Sequence, residues 1–283
     1  MDAYRFAGGT AVVTGAASGI GAALAPLLAA RGSDLVLVDR DAERLAGVAA
    51  AVRSAHPGVS VATAVVDLAD PVATQRVADE LVAAHPDVTL LVNNAGVALG
   101  GRFDQVTLDE FDWVMEVNFR AVVRLTKAFL PTLKAHPGSH VVNLSSLFGL
   151  MAPAGQVAYA SSKFAVRGFT EALRHELAED GSGTCVGVTS VHPGGIRTRI
   201  AETARVAGGV DPEEAARGKA DFARLLTFPA DEAAELIVDA VERRRPRLLI
   251  GASAKIPDVL VRIAPGGYGR LLAAVTRLAG KRR

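Results

Sequence analysis

The stretch "VVTGAASGIGAAL", residues 12–24, passes from a β-branched segment through Gly15, Gly19 and Gly21 into a run of alanine and leucine. β-Branched side chains favour strands and Ala/Leu favour helices, so the glycines mark a strand-to-helix turn. Glycine there permits a tight turn and lets backbone N–H groups, at the positive end of a helix, approach a pyrophosphate. Ser18 and Ile20 lie within that turn. Ordinary connections also carry glycines, so the context decides. The next apolar run ends in an acid, Asp39 in "LVLVDRDAERL", about twenty positions beyond the turn. A carboxylate there can accept both ribose hydroxyls of NAD and repels the 2′-phosphate of NADP.

Outward from this unit, short β-branched runs alternate with longer helical ones. Strands are expected at 10–14, 34–38, 60–66, 89–93, 140–145, 185–191 and 247–251, and helices at 19–31, 41–54, 71–84, 107–135, 156–179 and 230–243. The strand runs are continuously apolar, as when helices cover both faces of a sheet. Alternating β and α elements imply a parallel sheet with right-handed crossovers. The fold class is therefore α/β: a single doubly wound Rossmann-type domain with a parallel seven-stranded sheet and a C-terminal helical arm. The domain spans 1–283, with a core of about 8–251, an irregular segment at about 194–228 expected to form short mobile helices, and an extension at about 252–283 broken at Pro265-Gly266-Gly267. The arm's apolar residues can pack on the body, on a partner subunit or on a lipid surface, with protein the expected case.

The 283 residues are half hydrophobic and carry a formal net charge of +1. A near-neutral chain has no long-range field, so nucleic acid and acidic membranes are not implied as general partners. The basic runs "ERRRPR" (242–247) and "GKRR" (280–283) read as solvated rim or tail. The single cysteine, Cys185, reads as a small buried residue, and no Cys/His spacing suggests a metal. Neither a signal peptide nor an apolar run long enough for a membrane helix is visible, so a soluble cytoplasmic protein is expected.

Asp67 ends the third strand in "VVDLAD", followed by Leu68; its carboxylate can accept from an adenine amino group or cap the following helix. Arg40, beside Asp39, can pair with a 2′-phosphate or stack on adenine, so NAD is favoured with NADP possible. In "LVNNAG", Asn94, Ala95 and Gly96 let the chain lie against a flat cofactor, and the Asn93 and Asn94 amides can tie strands together. Farther on, "VAYASSKFAV" (157–166) places Tyr159 and Lys163 four apart, on one helix face. A surface pair would have that spacing too, but a nearby ammonium and a positive nicotinamide ring also favour a phenolate and lower a phenol's pKa, making it a usable base.

Glycine turn, "NNAG", a serine followed by Tyr-x3-Lys, and a later "PG" occur in order over residues 8 to about 251. The chain resembles the short-chain dehydrogenase/reductase family. The resemblance implies a catalytic tetrad of Asn118 (in "MEVNFRA"), Ser146 (in "VVNLSSLFG"), Tyr159 and Lys163, with Ser145 structural. Ser146 would hold the substrate oxygen, and Asn118 would hold a water that links Lys163 to solvent. In "VHPGGIRTRI", Pro193 and Gly194 would fix a turn, and the Ile196 backbone and Thr198 hydroxyl would hold the nicotinamide carboxamide. His192 is given no role. The family also implies a homodimer or homotetramer built on 107–135 and 156–179.

Between Ser146 and Tyr159, "LFGLMAPAGQVA" supplies Phe148, Leu150, Met151, Pro153 and Gln156 as one wall of a substrate pocket, and Val97, Ala98 and Leu99 are similarly apolar. Arg102 and Arg197 are the remaining candidates to clamp an anion. A fairly hydrophobic secondary alcohol or ketone is the expected small-molecule partner of an NAD(P)-dependent enzyme. Two other readings stay open: a nucleotide-binding regulatory scaffold without turnover, and a dehydratase or epimerase on the same fold.

Overall fold

The computed structural model describes residues 2–179 and 186–270; Cys185 lies outside them. The strands are β1 (Thr10–Thr14), β2 (Asp34–Asp39), β3 (Val61–Val65), β4 (Val88–Asn93), β5 (Leu99–Gly100), β6 (His140–Leu144), β7 (Gly187–Pro193), β8 (Arg205–Val206) and β9 (Arg247–Ile250). Seven of them form one sheet in the order β3-β2-β1-β4-β6-β7-β9, every pairing parallel. The order reverses between β1 and β4, and ligand clefts of open α/β sheets form at such a switch point. β5 and β8 pair separately as a two-residue ladder that the sequence pattern did not suggest.

The helices are α1 (Gly19–Ala30), α2 (Ala42–Ala55), α3 (Pro71–Ala84), α4 (Leu108–Met115), α5 (Ala121–Ala135), α6 (Val157–Glu179), α7 (Ile200–Thr203), α8 (Pro212–Leu225), α9 (Ala230–Glu242) and α10 (Ala252–Ile263). Their starts are written locally. Asp70 caps α3 through the Val72 and Ala73 amides with Pro71 next to the cap, and Thr107 and Glu110 form a reciprocal capping box on α4. The helix expected over 107–135 is divided: a π turn at Glu116–Arg120 separates α4 from α5, with the buried Glu116 carboxylate paired to Arg120 and Arg124.

Because side chains alternate along a strand, the sheet splits its apolar residues between two cores. Ala11, Val13, Leu35 and Leu37 face α1 and α9, where Leu24, Leu28 and Ile237 pack. Val12, Val36 and Leu91 face the other layer and meet Phe129 and Leu133 of α5. The basic run at 242–247 is not merely a solvated rim. Arg244 donates to the backbone oxygens of Asp2, Gly138 and Ser139, and Arg247 forms a two-pronged pair with Asp258.

Candidate active site

At the carboxyl ends of the strands lies a cleft of about 730 Å³. One end is built on the first turn. Gly15 adopts φ +68°, a left-handed conformation costly for other residues, and a Cβ there would stand 2.8 Å from Ala95 Cα. Asn94 Nδ2 donates to the Thr14 and Gly15 carbonyls (2.8 and 3.2 Å), while Thr14 Oγ1 accepts from the Asn94 and Ala95 amides (3.0 and 3.1 Å). Asn93 in turn donates to Asn143 Oδ1 at 2.8 Å. The two asparagines thus tie β4 to β1 and β6.

Asp39 reaches back across the turn. Its Oδ2 accepts from the Ala17 amide at 2.9 Å and its Oδ1 from the Asp41 amide at 3.0 Å, which leaves each oxygen capacity for a further donor. Arg40 leans toward Asp67, Nη1 to Oδ2 being 4.0 Å. Asp67 accepts from the Ala69 amide at 3.0 Å and lines the cleft with Leu68; the helix cap considered for it belongs to Asp70. Ser18, Gly19 and Ile20 line the same end, whereas Gly21 packs on Gly15 behind it.

At the other end Ser146, Tyr159 and Lys163 line the cleft together. Lys163 is buried, and its Nζ donates to the Leu144 carbonyl at 2.9 Å, which leaves two of its three N–H groups for other partners. Burial pushes its pKa down to about 8. Its Nζ stands 5.8 Å from the Tyr159 ring centroid. The lowered phenol pKa expected for Tyr159 is not what the protein alone produces: burial raises it, opposed by the Ser146 hydroxyl. Ser145 donates to the Lys163 carbonyl at 2.8 Å and joins β6 to α6. Phe148 packs edge-on against Tyr159, 6.0 Å between ring centres.

Asn118 lies on the π turn, fully buried and behind the cleft. Its Oδ1 accepts from Val97 N at 2.8 Å, and its Nδ2 donates to Val97 O and Ser162 Oγ, both at 3.0 Å. Only a lone pair on Oδ1 is left on this side chain to hold a water. A Cβ on Gly96 would stand 3.3 Å from both Asn118 Oδ1 and Lys163 Nζ, so glycine keeps this floor flat.

Pro193 and Gly194 end β7, Gly194 N donating to Ile250 O at 3.0 Å, and Ile196 and Thr198 follow along the rim. Ile196 N–H is taken by Gly194 O at 3.0 Å. Met151 and Pro153 also line the cleft. Leu150 is core, Arg197 is off the cleft, and Gln156, Arg102, Ala98 and Leu99 line a neighbouring pocket of about 210 Å³.

Sequence reasoning missed five contributors, from β7, α8 and α10. His192 is wholly buried, its Nδ1 3.1 Å from the Ser146 carbonyl and its Nε2 3.0 Å from Ser190 Oγ. The carbonyl must receive an N–H, so Nδ1 carries the proton and Nε2 accepts from Ser190; the position just before "PG" was the available signal. Phe222 and Leu225 of α8 reach the cleft, the two large apolar side chains of a helix otherwise made of small and charged residues. Ser253 and Pro257 of α10 form part of the wall, and Gly195 N donates to Ser253 Oγ at 3.3 Å.

The glycine floor, the strand-end acid and the open hydrogen-bonding capacity at Asp39 and Lys163 fit a nicotinamide dinucleotide. The profile described as "short chain dehydrogenase" matches residues 9–207. The chain is 44% identical over 271 residues to a putative oxidoreductase, SadH, of Mycobacterium tuberculosis, covering 95% of both. Among solved structures, a short-chain dehydrogenase/reductase from Burkholderia phymatum in complex with NAD superposes with a TM-score of 0.83 at 30% identity, over 92% of this chain and 95% of that one. A short-chain dehydrogenase from Sphingobium yanoikuyae in complex with NADPH gives 0.73 at 29% identity, over 97% and 96%. Fold, cleft and kinship agree, and the chain belongs to the short-chain dehydrogenase/reductase family of NAD(P)-dependent oxidoreductases.

Proposed function

We propose that this oxidoreductase interconverts a fairly hydrophobic secondary alcohol and its ketone, with NAD as the preferred hydride carrier and Tyr159 as the general acid/base. The observation that carries the reading is the meeting of Tyr159, Ser146 and Lys163 at one end of the cleft that has Asp39 and the glycine turn at the other. The bound nicotinamide would supply the hydride acceptor or donor. Asp39 and Asp67 would hold the adenosine end, Gly15, Ser18, Gly19, Ile20 and Gly21 the turn beneath the pyrophosphate, and Asn94, Ala95 and Gly96 the floor. Pro193, Gly194, Ile196 and Thr198 would flank the carboxamide. Arg40, turned toward Asp67, is less available to a 2′-phosphate, which favours NAD. Both cofactors occur among the solved relatives.

Ser146 holds the substrate oxygen while the Tyr159 hydroxyl gives or takes its proton. With a pKa of about 8, Lys163 is mostly protonated at neutral pH. Its ammonium favours the phenolate against the cost of burial, and the carbonyl of Leu144 fixes it for that purpose. Phe148, Met151 and Pro153 give the pocket an apolar wall, while Gln156 is placed to act only on a substrate long enough to reach the side pocket. The chain acts as one domain over 1–283, in the cytoplasm. It pairs as a homodimer or homotetramer through α4, α5 and α6, and Val157 and Phe164 of α6 are partly exposed.

The test is nicotinamide absorbance with NAD and a panel of aryl and alicyclic alcohols. Tyr159→Phe is expected to cut turnover by about 10²–10⁴-fold while leaving NAD binding in place. Wild-type turnover no greater than that of the variant across the panel would refute the reading.

A further inference from the structure

The ladder of β5 and β8 stands apart from the seven-stranded sheet, yet it is firmly bonded. Arg205 N donates to Ala98 O at 3.0 Å, Ala207 N to Gly100 O at 2.9 Å, and Gly101 N to Gly155 O at 3.0 Å. Three chain segments are thereby joined around the side pocket of about 210 Å³. This pocket lies back to back with the cleft. Val97, Pro153 and Thr203 line the cleft, and the next residue in each case, Ala98, Ala154 and Ala204, lines the pocket. Phe222 lines both. It stands on α8, a helix that buries none of its residues, so displacing it sacrifices little contact. Ala160 N donates to Gln156 O at 2.7 Å, so Gln156 opens the first turn of α6 and sits about one turn, roughly 5 Å, from Tyr159.

The lining decides what the pocket can take. Its cations are exposed and already engaged: Lys219 donates to Glu202 O at 2.9 Å, the Arg205 guanidinium lies 3.9 Å over the Trp113 ring, and Arg102 Nε is 3.7 Å from Asp104. Glu214 adds an exposed carboxylate, so the rim does not favour an anion. Most of the remaining lining is small or apolar. Ala98 and Leu99 are buried, and Val206 and Val210 are half-buried. On α8, Ala215, Gly218 and Phe222 recur at three and four residues, one stripe facing the pocket. A Cβ on Gly218 would meet nothing within 4 Å, so that stripe leaves open space in front of it.

We propose that the cleft and the side pocket are two halves of one substrate site. The reacting carbon sits beside Tyr159, and an apolar aliphatic arm of the same molecule passes Phe222 into the side pocket. The substrate class is then a medium- or long-chain aliphatic secondary alcohol or ketone. The inference rests on the hydride-transfer reading and adds the shape of its substrate. Calorimetric titration of the NAD-bound enzyme with 2-alkanones of about 4 to about 14 carbons tests it without turnover, because a ketone cannot give a hydride to NAD. Affinity is expected to rise about three- to fourfold per methylene into the long members of the series. Gly218→Leu and Ala215→Leu fill the pocket and line no part of the cleft. Each should bind the short members as the wild type does and the long ones about tenfold or more weakly. Unchanged thermal unfolding and NAD affinity would show that both variants are folded. Wild-type affinity that stops rising at the short members, absence of binding by every member, or long-chain binding undiminished in both variants would overturn the proposal. Oxidation of the matching 2-alkanols by NAD is followed in parallel. Length-dependent binding without turnover of any alcohol would refute hydride transfer and leave the pocket assignment standing, whereas turnover indifferent to chain length would do the reverse.

Discussion

Two buried histidines should make this protein acid-labile well above the range in which carboxylates titrate. His140 and His192 are both fully buried. Thr189 Oγ1 donates to the Arg245 carbonyl, so it accepts from His140 Nε2–H at 2.7 Å. That leaves His140 Nδ1 buried without a hydrogen-bond partner. A proton placed there would be desolvated and would also face Arg244. Burial lowers the His140 pKa to about 3, with Arg244 adding to the shift, and lowers that of His192 to about 4. The ordinary value is 6.5. Folded values below the unfolded one mean that the unfolded chain binds protons first, so stability is full above about pH 6.5 and falls as pH drops toward 4 and 3. At pH 5 each histidine withdraws about 2 kcal/mol, and the pair about 4 kcal/mol. A domain with a total of about 5–15 kcal/mol would lose a large part of its margin. Urea unfolding at about pH 7.5 and about pH 5 measures the difference, and His140→Gln and His192→Asn should each remove about half of it, whatever they do to absolute stability. A wild-type difference below about 1 kcal/mol, or one that persists in the double variant, would refute the reasoning.

Asp39→Ala removes the acceptor of the Ala17 and Asp41 amides together with the charge that repels a 2′-phosphate. The ratio of kcat/KM for NAD to that for NADP should fall about tenfold or more, and an unchanged ratio would place cofactor choice with Arg40 or residues 16–18. Asn118→Ala leaves the Val97 amide and carbonyl without their side-chain partners. It should cost about 2–4 kcal/mol in chemical denaturation and slow turnover, with the larger loss in kcat than in KM.

The sheet was legible because its central strands are buried on both sides and so read as unbroken apolar runs, with the glycine turn at the switch point and Asp39 at the end of the neighbouring strand. The clustering of Tyr159, Lys163 and Ser146 was legible from spacing and resemblance. Other features depend on quantities that spacing does not carry. Nothing in "DWVMEVNFRA" announces that an extra residue enters the helix there, since its periodicity serves α4 and α5 equally well. His192 looked like a strand-end residue because its partners are a backbone carbonyl and a serine two positions away, neither of which leaves a motif. Proximity of Lys163 to Tyr159 was visible in the spacing, whereas the burial that raises the Tyr159 pKa in the protein alone was not.

The π turn at Glu116–Arg120 acts as a phase shifter between two packed surfaces. On one side Val114 seats in its own small cluster against Leu99 and Ala158, and on the other Leu125, Phe129 and Leu133 seat under the sheet. A regular helix turns about 100° per residue, and the wide turn takes up one residue more than a regular turn, so both surfaces face inward despite the extra residue between them. The wide turn is also what delivers the Asn118 amide to Val97. Asn118 is therefore held in place by a residue count as much as by a residue type, and a single-codon deletion beside it would withdraw its amide from Val97 while leaving Asn118, Ser146, Tyr159 and Lys163 all in the sequence.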